Sequence, residues 1–450
     1  MTVLRTWCTG PRPVHFFQKV CRIALAAALA GAPLAAAQAA PAPSQIVVGQ
    51  SVEDFYRARR GAPLWLSPAA GDAAQQLIII LANARVDGLD PDRYRVASLQ
   101  EAMRQAWGGD RKAVERAELE LSRAFVAYVR DLKRDPGIGM IYVDRQLRPS
   151  PPSPLATLLD AASASSLSSY VRDMGWMNPI YGQLRRALLG HVYASDHERE
   201  RLQLNLERAK VLPSGRAKYI LVNAAQQRLF MYENGKVVDS MNVVVGKPKY
   251  PTPMMAAYIR FASLNPYWFV PPDLAAERIA PNVLKEGLGY LDKKGYQVLS
   301  DWGPEARIID PATIDWKAVA EGSTEVMMRQ LPGPENAMGR MKFMFPNHEG
   351  IYLHDTPEKQ LLKEAARLFS GGCVRLEDAP RLARWLFGRS LVWETAGTED
   401  SVPLETPIPV YISYLTAMPD GSSIAYFDDI YGRDAARVAS LAGTGSTADR

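Results

Sequence analysis

Residues 369–376 read FSGGCVRL, and Cys373 in this stretch is the most informative residue of the chain. The sequence holds 3 cysteines, but Cys8 and Cys21 lie in an N-terminal segment that has the features of an export signal. Removal of that segment would leave Cys373 without a disulfide partner in its own chain. A lone exported thiol is either a buried structural residue or a nucleophile, and the glycines beside Cys373 favour the nucleophile.

The first 39 residues have the three parts of a secretory signal peptide. Basic residues come first, residues 23–37 are almost entirely apolar, and Ala37-Gln38-Ala39 matches a cleavage site. The apolar run is short and rich in alanine for a membrane span, so we favour a cleaved signal over an uncleaved anchor. Cys21 is a weak lipoprotein candidate because the stretch ahead of it, Gln18-Lys19-Val20, contains polar Gln18 and Lys19 where small apolar residues are expected.

The charge of the mature chain argues against several classes of function. The formal net charge is +5, and the first 40 residues contribute four basic residues and no acidic ones, which leaves about +1. No basic stripe remains to indicate nucleic-acid binding. No later stretch approaches the length of a membrane span, so we expect no stable span after signal cleavage. The roughly 410 remaining residues suffice for two or three domains.

Helical periodicity in the N-terminal half predicts a helical scaffold domain over residues 45–205. Residues 52–56 follow Ser51, a good N-cap, and residues 114–133 place apolar side chains on one face. Further helices are predicted over residues 73–84, 155–174 and 181–208. A Pro/Ser-rich linker or surface crossing near 149–154 lies among them.

The periodicity changes near residue 214, where a mainly-β domain is predicted to begin and to extend to about 415. Strands are predicted over residues 219–222, 228–232, 237–245, 341–345, 351–353, 391–393 and 408–412, with a helix over 378–387. Asn234-Gly235 indicates a tight hairpin. Helical and Pro-rich sequence interrupts the strands between 271 and 334, and residues 431–450 have the composition of a disordered tail. The predicted fold class is therefore α+β.

His354 lies nineteen positions before Cys373, at the end of a predicted strand. An imidazole beside a thiol can activate it as a nucleophile and later return the proton to a leaving amine. Ser370-Gly371-Gly372 allows a tight turn. The backbone N–H groups of Gly372 and Cys373 are then candidate donors to an oxyanion.

His348 is the rival base for Cys373. It lies in residues 346–350, PNHEG, which have the composition of a solvated turn. A zinc-peptidase H-E-x-x-H motif would need a histidine where Tyr352 stands. With one thiol and few histidines left after export, we expect neither a metal nor another cofactor.

The spacing from His354 to residues 370–375 resembles the signature of the L,D-transpeptidase catalytic domain. That signature is His, a gap of similar length, then Ser/Thr-His-Gly-Cys, an apolar residue and Asn or Arg. Other stretches resemble the same family, namely residues 244–248 with Thr252-Pro253, 265–272, 332–336, 339–343 and 352–357. Together they resemble its large Gram-negative periplasmic branch, well over about 205–415 and more loosely over 47–135.

The resemblance implies an exported acyltransferase that rebuilds peptidoglycan. Such enzymes cut the L,D peptide bond after the third residue of a tetrapeptide stem and release D-Ala. They transfer the acyl group to a diaminopimelate amine on another stem, which makes a 3→3 cross-link. Carried over by position, Cys373 is the nucleophile and His354 the general base and acid, oriented by a neighbouring backbone carbonyl. The side chain of Asp355 is then expected to be structural rather than part of a triad.

Further site residues follow from the same resemblance. Tyr352 and Trp268 are expected to line the substrate cleft with Ser370, and Arg375 is expected either to meet a stem carboxylate or to form a structural ion pair. Residues 272–331 match the family's helical lid, which would exclude water from the acyl-enzyme. The resemblance also implies a periplasmic location, peptidoglycan stem peptides and other cell-wall enzymes as partners, and acylation by carbapenems.

Two features depart from the family pattern, and two alternatives stay open. Gly371 stands where many members carry histidine, and no small wall-binding module is visible between 135 and 205. The acyl group could pass to a protein, a free D-amino acid or water instead of a second stem. The chain could also be a catalytically silent wall-binding scaffold, in which case Cys373 would be buried and inert.

Overall fold

The computed structural model describes residues 51–303, 305–392 and 398–436. The predicted signal peptide lies outside these residues. The N-terminal part is helical, as predicted. The helices are α1 Val52–Ala58, α2 Ala73–Ala82, α3 Val96–Ala106, α4 Arg111–Leu132, α5 Pro154–Ala162, α6 Leu167–Arg172, α7 Pro179–Leu189, α8 Asp196–Ala209, α9 Pro272–Leu274, α10 Ala280–Glu286, α11 Gly289–Lys294, α12 Trp316–Ala320 and α13 Ala379–Phe387.

Ser51 fixes where the first helix begins. Its hydroxyl accepts the N–H of Asp54 at 3.1 Å, and the Asp54 carboxylate accepts the N–H of Ser51 at 3.0 Å. This reciprocal cap satisfies two N–H groups that the helix would otherwise leave unpaired. The N-cap expected from the sequence is therefore present.

A buried ion pair holds the scaffold helices together. Arg185 Nε donates to both carboxylate oxygens of Asp87, at 2.8 and 3.0 Å. The hydroxyls of Tyr128 and Tyr181 donate to the same carboxylate at 2.7 and 2.6 Å. All four side chains are buried. Removal of one charged partner would leave the other buried and unpaired, a loss of about 3–5 kcal/mol, so this cluster fixes how α4 packs against α7.

Strands form most of the second half of the chain. They are β1 Ile141–Tyr142, β2 Tyr219–Asn223, β3 Arg228–Glu233, β4 Lys236–Gly246, β5 Met255–Leu264, β6 Trp268–Val270, β7 Tyr296–Leu299, β8 Ile308–Ile309, β9 Met327–Gln330, β10 Met341–Met344, β11 Leu353–His354, β12 Leu368–Ser370, β13 Val374–Leu376, β14 Asp400–Ser413, β15 Ala417–Asp420 and β16 Ser423–Tyr426. The predicted α+β class is confirmed.

The largest sheet closes on itself. Its strand order is β1-β5-β10-β11-β13-β4-β3-β2-β14, and β14 pairs with β5 as well as with β2. The path from β5 round to β14 and back therefore resembles a barrel, which leaves few exposed strand edges. β12 pairs with β4 off this path. The predicted hairpin joins β3 to β4, with positive φ at both Asn234 and Gly235, as a type I′ turn requires.

The helical and β-rich halves share one core. β1 follows α4 in the chain but pairs in parallel with β5, Ile141 opposite Met255. Buried apolar side chains of both halves belong to one continuous cluster. The Pro/Ser-rich stretch is a surface crossing that ends where Ser153 caps α5. In the part of the chain that the structure describes, no helix is both long and apolar enough to cross a membrane.

The insertion between β5 and β10, residues 268–330, is called the lid from here on. It contains a four-stranded sheet in the order β6-β9-β7-β8, packed with helices α9–α12 around its own apolar cluster. The lid is thus mixed rather than helical alone, and it begins at Trp268, ahead of the expected boundary at 272. Its strands have at most four residues, too few to show alternation in the sequence.

Two other expectations differ from the structure. Leu391 and Val392, predicted as strand, lie outside any strand, and residue 393 is not among the described residues. The tail predicted to be disordered from 431 is ordered at its start. Tyr431 and Arg433 donate hydrogen bonds to backbone carbonyls of the β-rich half, and Asp434 is buried. Residues 437–450 lie outside the described part.

Candidate active site

β11 and β13 bring His354 and Cys373 to one face of the sheet. The strands are parallel neighbours, with Leu353 opposite Val374 and His354 opposite Arg375. Leu353 and Val374 are buried in the core. Because side chains alternate along a strand, the residues on either side of this pair, including His354 and Cys373, point to the opposite face. The register thus explains how two residues distant in sequence share one site.

His354 is held in one tautomer. It is 2% exposed, and its Nδ1 lies 2.6 Å from the backbone carbonyl oxygen of Asp355. A carbonyl oxygen only accepts, so Nδ1 carries the proton and Nε2 is unprotonated. Burial, aided by the charge of Arg375, lowers the pKa of His354 to about 3. The imidazole is therefore neutral near pH 7 and able to accept a proton.

The Asp355 side chain makes structural contacts. Its Oδ1 accepts from Lys359 Nζ at 2.6 Å, and its Oδ2 accepts the N–H of Arg340 at 2.9 Å. The imidazole of His354 is oriented by the backbone of this residue, not by its carboxylate. The structure therefore matches the expectation of a histidine that needs no triad aspartate.

Hydrogen bonds of Ser370 and Gly372 stabilise the turn that ends at Cys373. The Ser370 hydroxyl donates to the Cys373 carbonyl at 2.6 Å and accepts the N–H of Gly372 at 3.1 Å. Two expectations are corrected here. The Gly372 N–H points at Ser370 rather than at an oxyanion site, and Ser370, which is 2% exposed, is too deeply buried to contact a substrate. Sequence spacing alone does not determine where a backbone N–H points.

Cys373 is half-buried, and its Sγ lies 3.4 Å from the carbonyl oxygen of Gly350. Gly350 is the last residue of the turn that contains His348, whose side chain is exposed. The strand beside the thiol carries His354 instead. A half-buried thiol also differs from the fully buried one that a catalytically silent scaffold would require.

Three residues, Thr252, Gly246 and Tyr431, support the turn from behind and are called the brace. Thr252 Oγ1 donates to the Gly372 carbonyl at 2.8 Å and accepts the N–H of Gly246 at 2.8 Å. The Tyr431 hydroxyl donates to the Gly246 carbonyl at 2.6 Å. A Cβ on Gly246 would lie 1.9 Å from the carbonyl oxygen of Tyr250, so only glycine fits there.

The brace was missed in the sequence. Thr252 stood in a family-like motif without a role, and Tyr431 lay in the predicted disordered tail. Tyr431 is anchored because its N–H donates to the hydroxyl of Tyr414 at 2.9 Å, and that hydroxyl donates to Asp429 at 2.8 Å. The aromatic residues of this segment were a signal of packing, since large apolar side chains tend to be buried.

The remaining predicted cleft residues have different surroundings. Arg375 is buried and pairs with Glu358 at 2.5 Å, which is the structural ion pair that the sequence left open. Tyr352 is half-buried, with Lys342 Nζ 4.7 Å from the centre of its ring. Trp268 lies on β6, where it packs against the lid's apolar cluster. Of these three, Arg375 lies on β13 and Tyr352 directly precedes β11, whereas Trp268 belongs to the lid.

The lid contacts the turn that carries Cys373. A Cβ on Gly371 would lie 3.4 Å from Leu274 Cδ1, so the lid borders the exposed position where the family signature has histidine. Arg278 Nη2 donates to the Phe369 carbonyl at 3.4 Å. Arg278 belongs to a π-helical turn, Ala275–Ile279. Turns of this kind often occur at functional sites.

Comparisons with known proteins identify two domains. The L,D-transpeptidase catalytic domain matches residues 217–410, and the Scaffold domain matches residues 50–188. A Haemophilus influenzae protein, provisionally named an L,D-transpeptidase, is 28% identical over 392 residues, which cover 84% of this chain and 77% of that protein. These matches confirm the family resemblance found in the motifs.

Similar solved structures are more distant. An L,D-transpeptidase from Mycobacterium smegmatis is 14% identical over 45% of this chain and 63% of that chain, with a TM-score of 0.22. An L,D-transpeptidase in complex with imipenem is 14% identical over 44% of this chain and 60% of that chain, with a TM-score of 0.22. The chain thus spans less than two thirds of the length of these solved proteins.

Proposed function

We propose that the chain is an L,D-transpeptidase whose reaction is carried by Cys373 and His354, because residues 217–410 match the L,D-transpeptidase catalytic domain and residues 50–188 match the Scaffold domain. Cys373 attacks the carbonyl carbon of the L,D peptide bond after the third residue of a peptidoglycan tetrapeptide stem. A thioester forms and the terminal D-Ala leaves. The observation that carries the proposal is the 2.6 Å contact between His354 Nδ1 and the Asp355 carbonyl oxygen, which places the proton on Nδ1 and leaves Nε2 able to take the thiol proton.

Each proton in the two half-reactions has a carrier. As the bond from sulfur to the carbonyl carbon forms, His354 Nε2 takes the thiol proton. As the C–N bond of the tetrahedral intermediate breaks, the same nitrogen gives that proton to the leaving amine of D-Ala. In the second half-reaction it takes a proton from the incoming amine and returns one to sulfur when the thioester bond breaks.

The pKa of His354 favours one way of activating the thiol. At about 3, that pKa keeps the imidazole neutral near pH 7, so Cys373 gives up its proton as it attacks. A resting pair of thiolate and imidazolium, in which the histidine is already charged, would require a higher pKa. Arg375 on the neighbouring strand supports the neutral state, because its positive charge opposes a second one on His354.

The acceptor and the location complete the proposal. The acceptor is the side-chain amine of a diaminopimelate on a second stem, which gives a 3→3 cross-link. The enzyme acts in the periplasm of a Gram-negative envelope, where this substrate lies. A carbapenem acylates Cys373, because its strained carbonyl meets the same nucleophile. A protein amine, a free D-amino acid or water would react with the same thioester and are outcomes of the test.

Intact-mass measurement on purified protein that lacks the signal segment tests the acyl-enzyme. With a diaminopimelate-containing tetrapeptide, we expect an adduct equal to the stem minus D-Ala, together with free D-Ala. With a carbapenem, we expect a complete adduct. Cys373→Ala should form neither, and His348→Gln should react like the wild type. A folded wild type that forms no adduct, or an equal adduct on Cys373→Ala, would contradict the proposal.

Analysis of the products identifies the acceptor. When a second stem is supplied, we expect dimers joined between two diaminopimelate residues. If only free tripeptide appears, the acceptor is water, and if a D-amino acid is incorporated, the enzyme exchanges stem termini. Either result would remove the cross-linking part of the proposal and leave the acyl-enzyme part intact.

A further inference from the structure

Three donors converge on one carboxylate at the edge of the site. Lys247 Nζ donates to Glu277 Oε1 at 2.8 Å. The Tyr250 hydroxyl and Lys249 Nζ donate to Oε2 at 2.9 and 3.4 Å. Glu277 belongs to the lid, whereas the donors lie in the loop that follows β4. Three donors on one carboxylate, two of them charged, form an anion-binding arrangement.

The donor loop is attached directly to the turn that carries Cys373. The backbone N–H of Lys247 donates to the carbonyl of Ser370 at 3.1 Å. The carbonyl oxygen of Tyr250 lies 3.9 Å from the place that a Cβ on Gly372 would take. The hydrogen bond between Lys247 and Ser370 joins backbone atoms of both residues, so the backbone of the donor loop keeps a fixed distance from the turn that carries the nucleophile.

Without Glu277, these donors would be a compact cationic site. Lys247 Nζ and Lys249 Nζ lie 5.2 and 5.1 Å from the ring centre of Tyr250. The lysine side chains are 28% and 66% exposed, so a ligand can reach both from solvent. The hydrogen bond from Lys247 is the main cause that lowers the pKa of Glu277 to about 2, so this carboxylate is charged near pH 7.

We propose that Lys247, Lys249 and Tyr250 bind a free carboxylate of the donor stem close to the scissile bond, and that Glu277 occupies this place until the stem enters. The inference rests on the proposed function, because it takes the stem as the donor. The stem has free carboxylates on its terminal D-Ala and on diaminopimelate, both near the scissile bond. Exchange of one carboxylate for another preserves the charge-assisted hydrogen bonds, so the lid can release Glu277 as the substrate arrives.

Acylation kinetics with three stems test the binding site. The stems are the free acid, one amidated on the terminal D-Ala and one amidated on the second carboxylate of diaminopimelate. We expect the wild type to discriminate about tenfold against one of the two amides, the size expected from one charge-assisted hydrogen bond. That amide identifies the carboxylate that is bound. Lys247→Gln should raise KM for the free acid and lose most of this discrimination, and Lys249→Gln should do so more weakly.

Variants of the lid test the second half of the inference. Glu277→Gln keeps the size of the side chain but removes the competing charge, so KM for the free acid should fall by roughly threefold with kcat unchanged. Glu286→Gln, the same change at an exposed lid glutamate, is the matched control. Lys236→Gln, at the opposite end of β4, is the control for the lysines. Neither control should alter KM or the discrimination between stems.

Two results would overturn the inference while the proposed function stands. One is equal reaction of all three stems with an otherwise active wild type. The other is a fall in kcat for Glu277→Gln, which would make this residue part of the active closed state rather than a competitor. A wild type that forms no covalent adduct with any stem or carbapenem would remove the proposed function first, and the inference with it.

Discussion

The turn that carries Cys373 and the lid above it are held by different kinds of contact. Ser370, Gly372 and Thr252 are buried and joined by hydrogen bonds of 2.6–3.1 Å between uncharged groups. The lid rests on this region through ion pairs of Glu277 with lysines that are 28% and 66% exposed. Besides apolar contact, the Tyr250 hydroxyl donates to Glu277 at 2.9 Å and Arg278 donates a long hydrogen bond to the Phe369 carbonyl at 3.4 Å.

The two kinds of contact differ in strength and in their response to solvent. Loss of a partner in a buried hydrogen bond leaves a polar group unsatisfied, which costs about 1–3 kcal/mol. An exposed ion pair contributes little to stability and weakens as salt increases. We therefore expect the nucleophile to stay fixed and the lid to open more readily. An enzyme that admits a polymer and then excludes water needs both properties.

The largest expected effect concerns the base in the fixed region. His354→Gln removes the Nε2 that accepts the thiol proton, so acylation of Cys373 should slow by roughly 10²–10⁴-fold. Time-resolved intact-mass measurement with a carbapenem gives the rate. His348→Gln, an exposed histidine in the adjacent turn, should react at the wild-type rate. Equal losses in both variants would show that His354 has no special role.

The same histidine makes the fixed region sensitive to acid. Its pKa in the folded protein, about 3, is below the ordinary value of 6.5, so the unfolded chain takes up the proton first as the pH falls. This contribution to stability is complete above pH 6.5 and is lost progressively down to about pH 3. At pH 5 the loss should be about 2 kcal/mol relative to pH 7.5.

Denaturant unfolding at pH 7.5 and pH 5 measures this effect. The pH-dependent loss should be smaller by that amount in His354→Gln and unchanged in His348→Gln. If His354→Gln retains the full acid sensitivity of the wild type, the imidazole is not held neutral in the folded protein.

Thr252 tests whether the brace positions the nucleophile. Thr252→Val keeps the shape but removes the hydroxyl that bonds Gly372 and Gly246, so the free energy of unfolding should fall by about 1–3 kcal/mol. We also expect acylation of Cys373 to slow by about tenfold with little change in KM, because a displaced turn misaligns the thiol. A purely structural role would lower stability and leave the acylation rate of the folded protein unchanged.

A smaller effect is expected at the outer end of the brace. Tyr431→Phe removes the hydroxyl that donates to the Gly246 carbonyl. We expect the free energy of unfolding to fall by about 1 kcal/mol and acylation to slow a few-fold. Tyr426→Phe is the matched control, because the Tyr426 hydroxyl makes no hydrogen bond within the described part of the chain. If both variants behave alike, the C-terminal segment does not support the turn.

The contrast also separates what the sequence could predict from what it could not. Cys373, His354 and the strand that ends at His354 were predictable, because a short motif and a local apolar run encode them, whereas the three-residue strand β13 after Cys373 was not predicted. The contacts expected for Gly372 and Ser370, with an oxyanion and with the substrate, differ from those in the structure, because the direction of an N–H depends on how the turn closes. Tyr431 was missed because its contact with Gly246 exists only in the folded chain.

The lid was only partly predictable for a related reason. Its helices are visible in the sequence, whereas β8 has two residues and pairs with β7 across an irregular loop. The role of Glu277 was equally hidden. No motif near Glu277 in the sequence indicates a role for it. Its partners Lys247 and Lys249 precede β5, whereas Glu277 follows that strand, so the pairs form only when the chain folds.

Hydrogen–deuterium exchange on the unliganded protein tests the central contrast most directly, at low and at high salt. We expect peptides that cover residues 243–253 and 368–376 to stay protected at both salt concentrations. We expect peptides that cover residues 272–294 to exchange faster and to speed up further at high salt, because salt screens the pairs of Glu277 with Lys247 and Lys249. A lid that is as protected as the nucleophile turn and insensitive to salt would contradict the account.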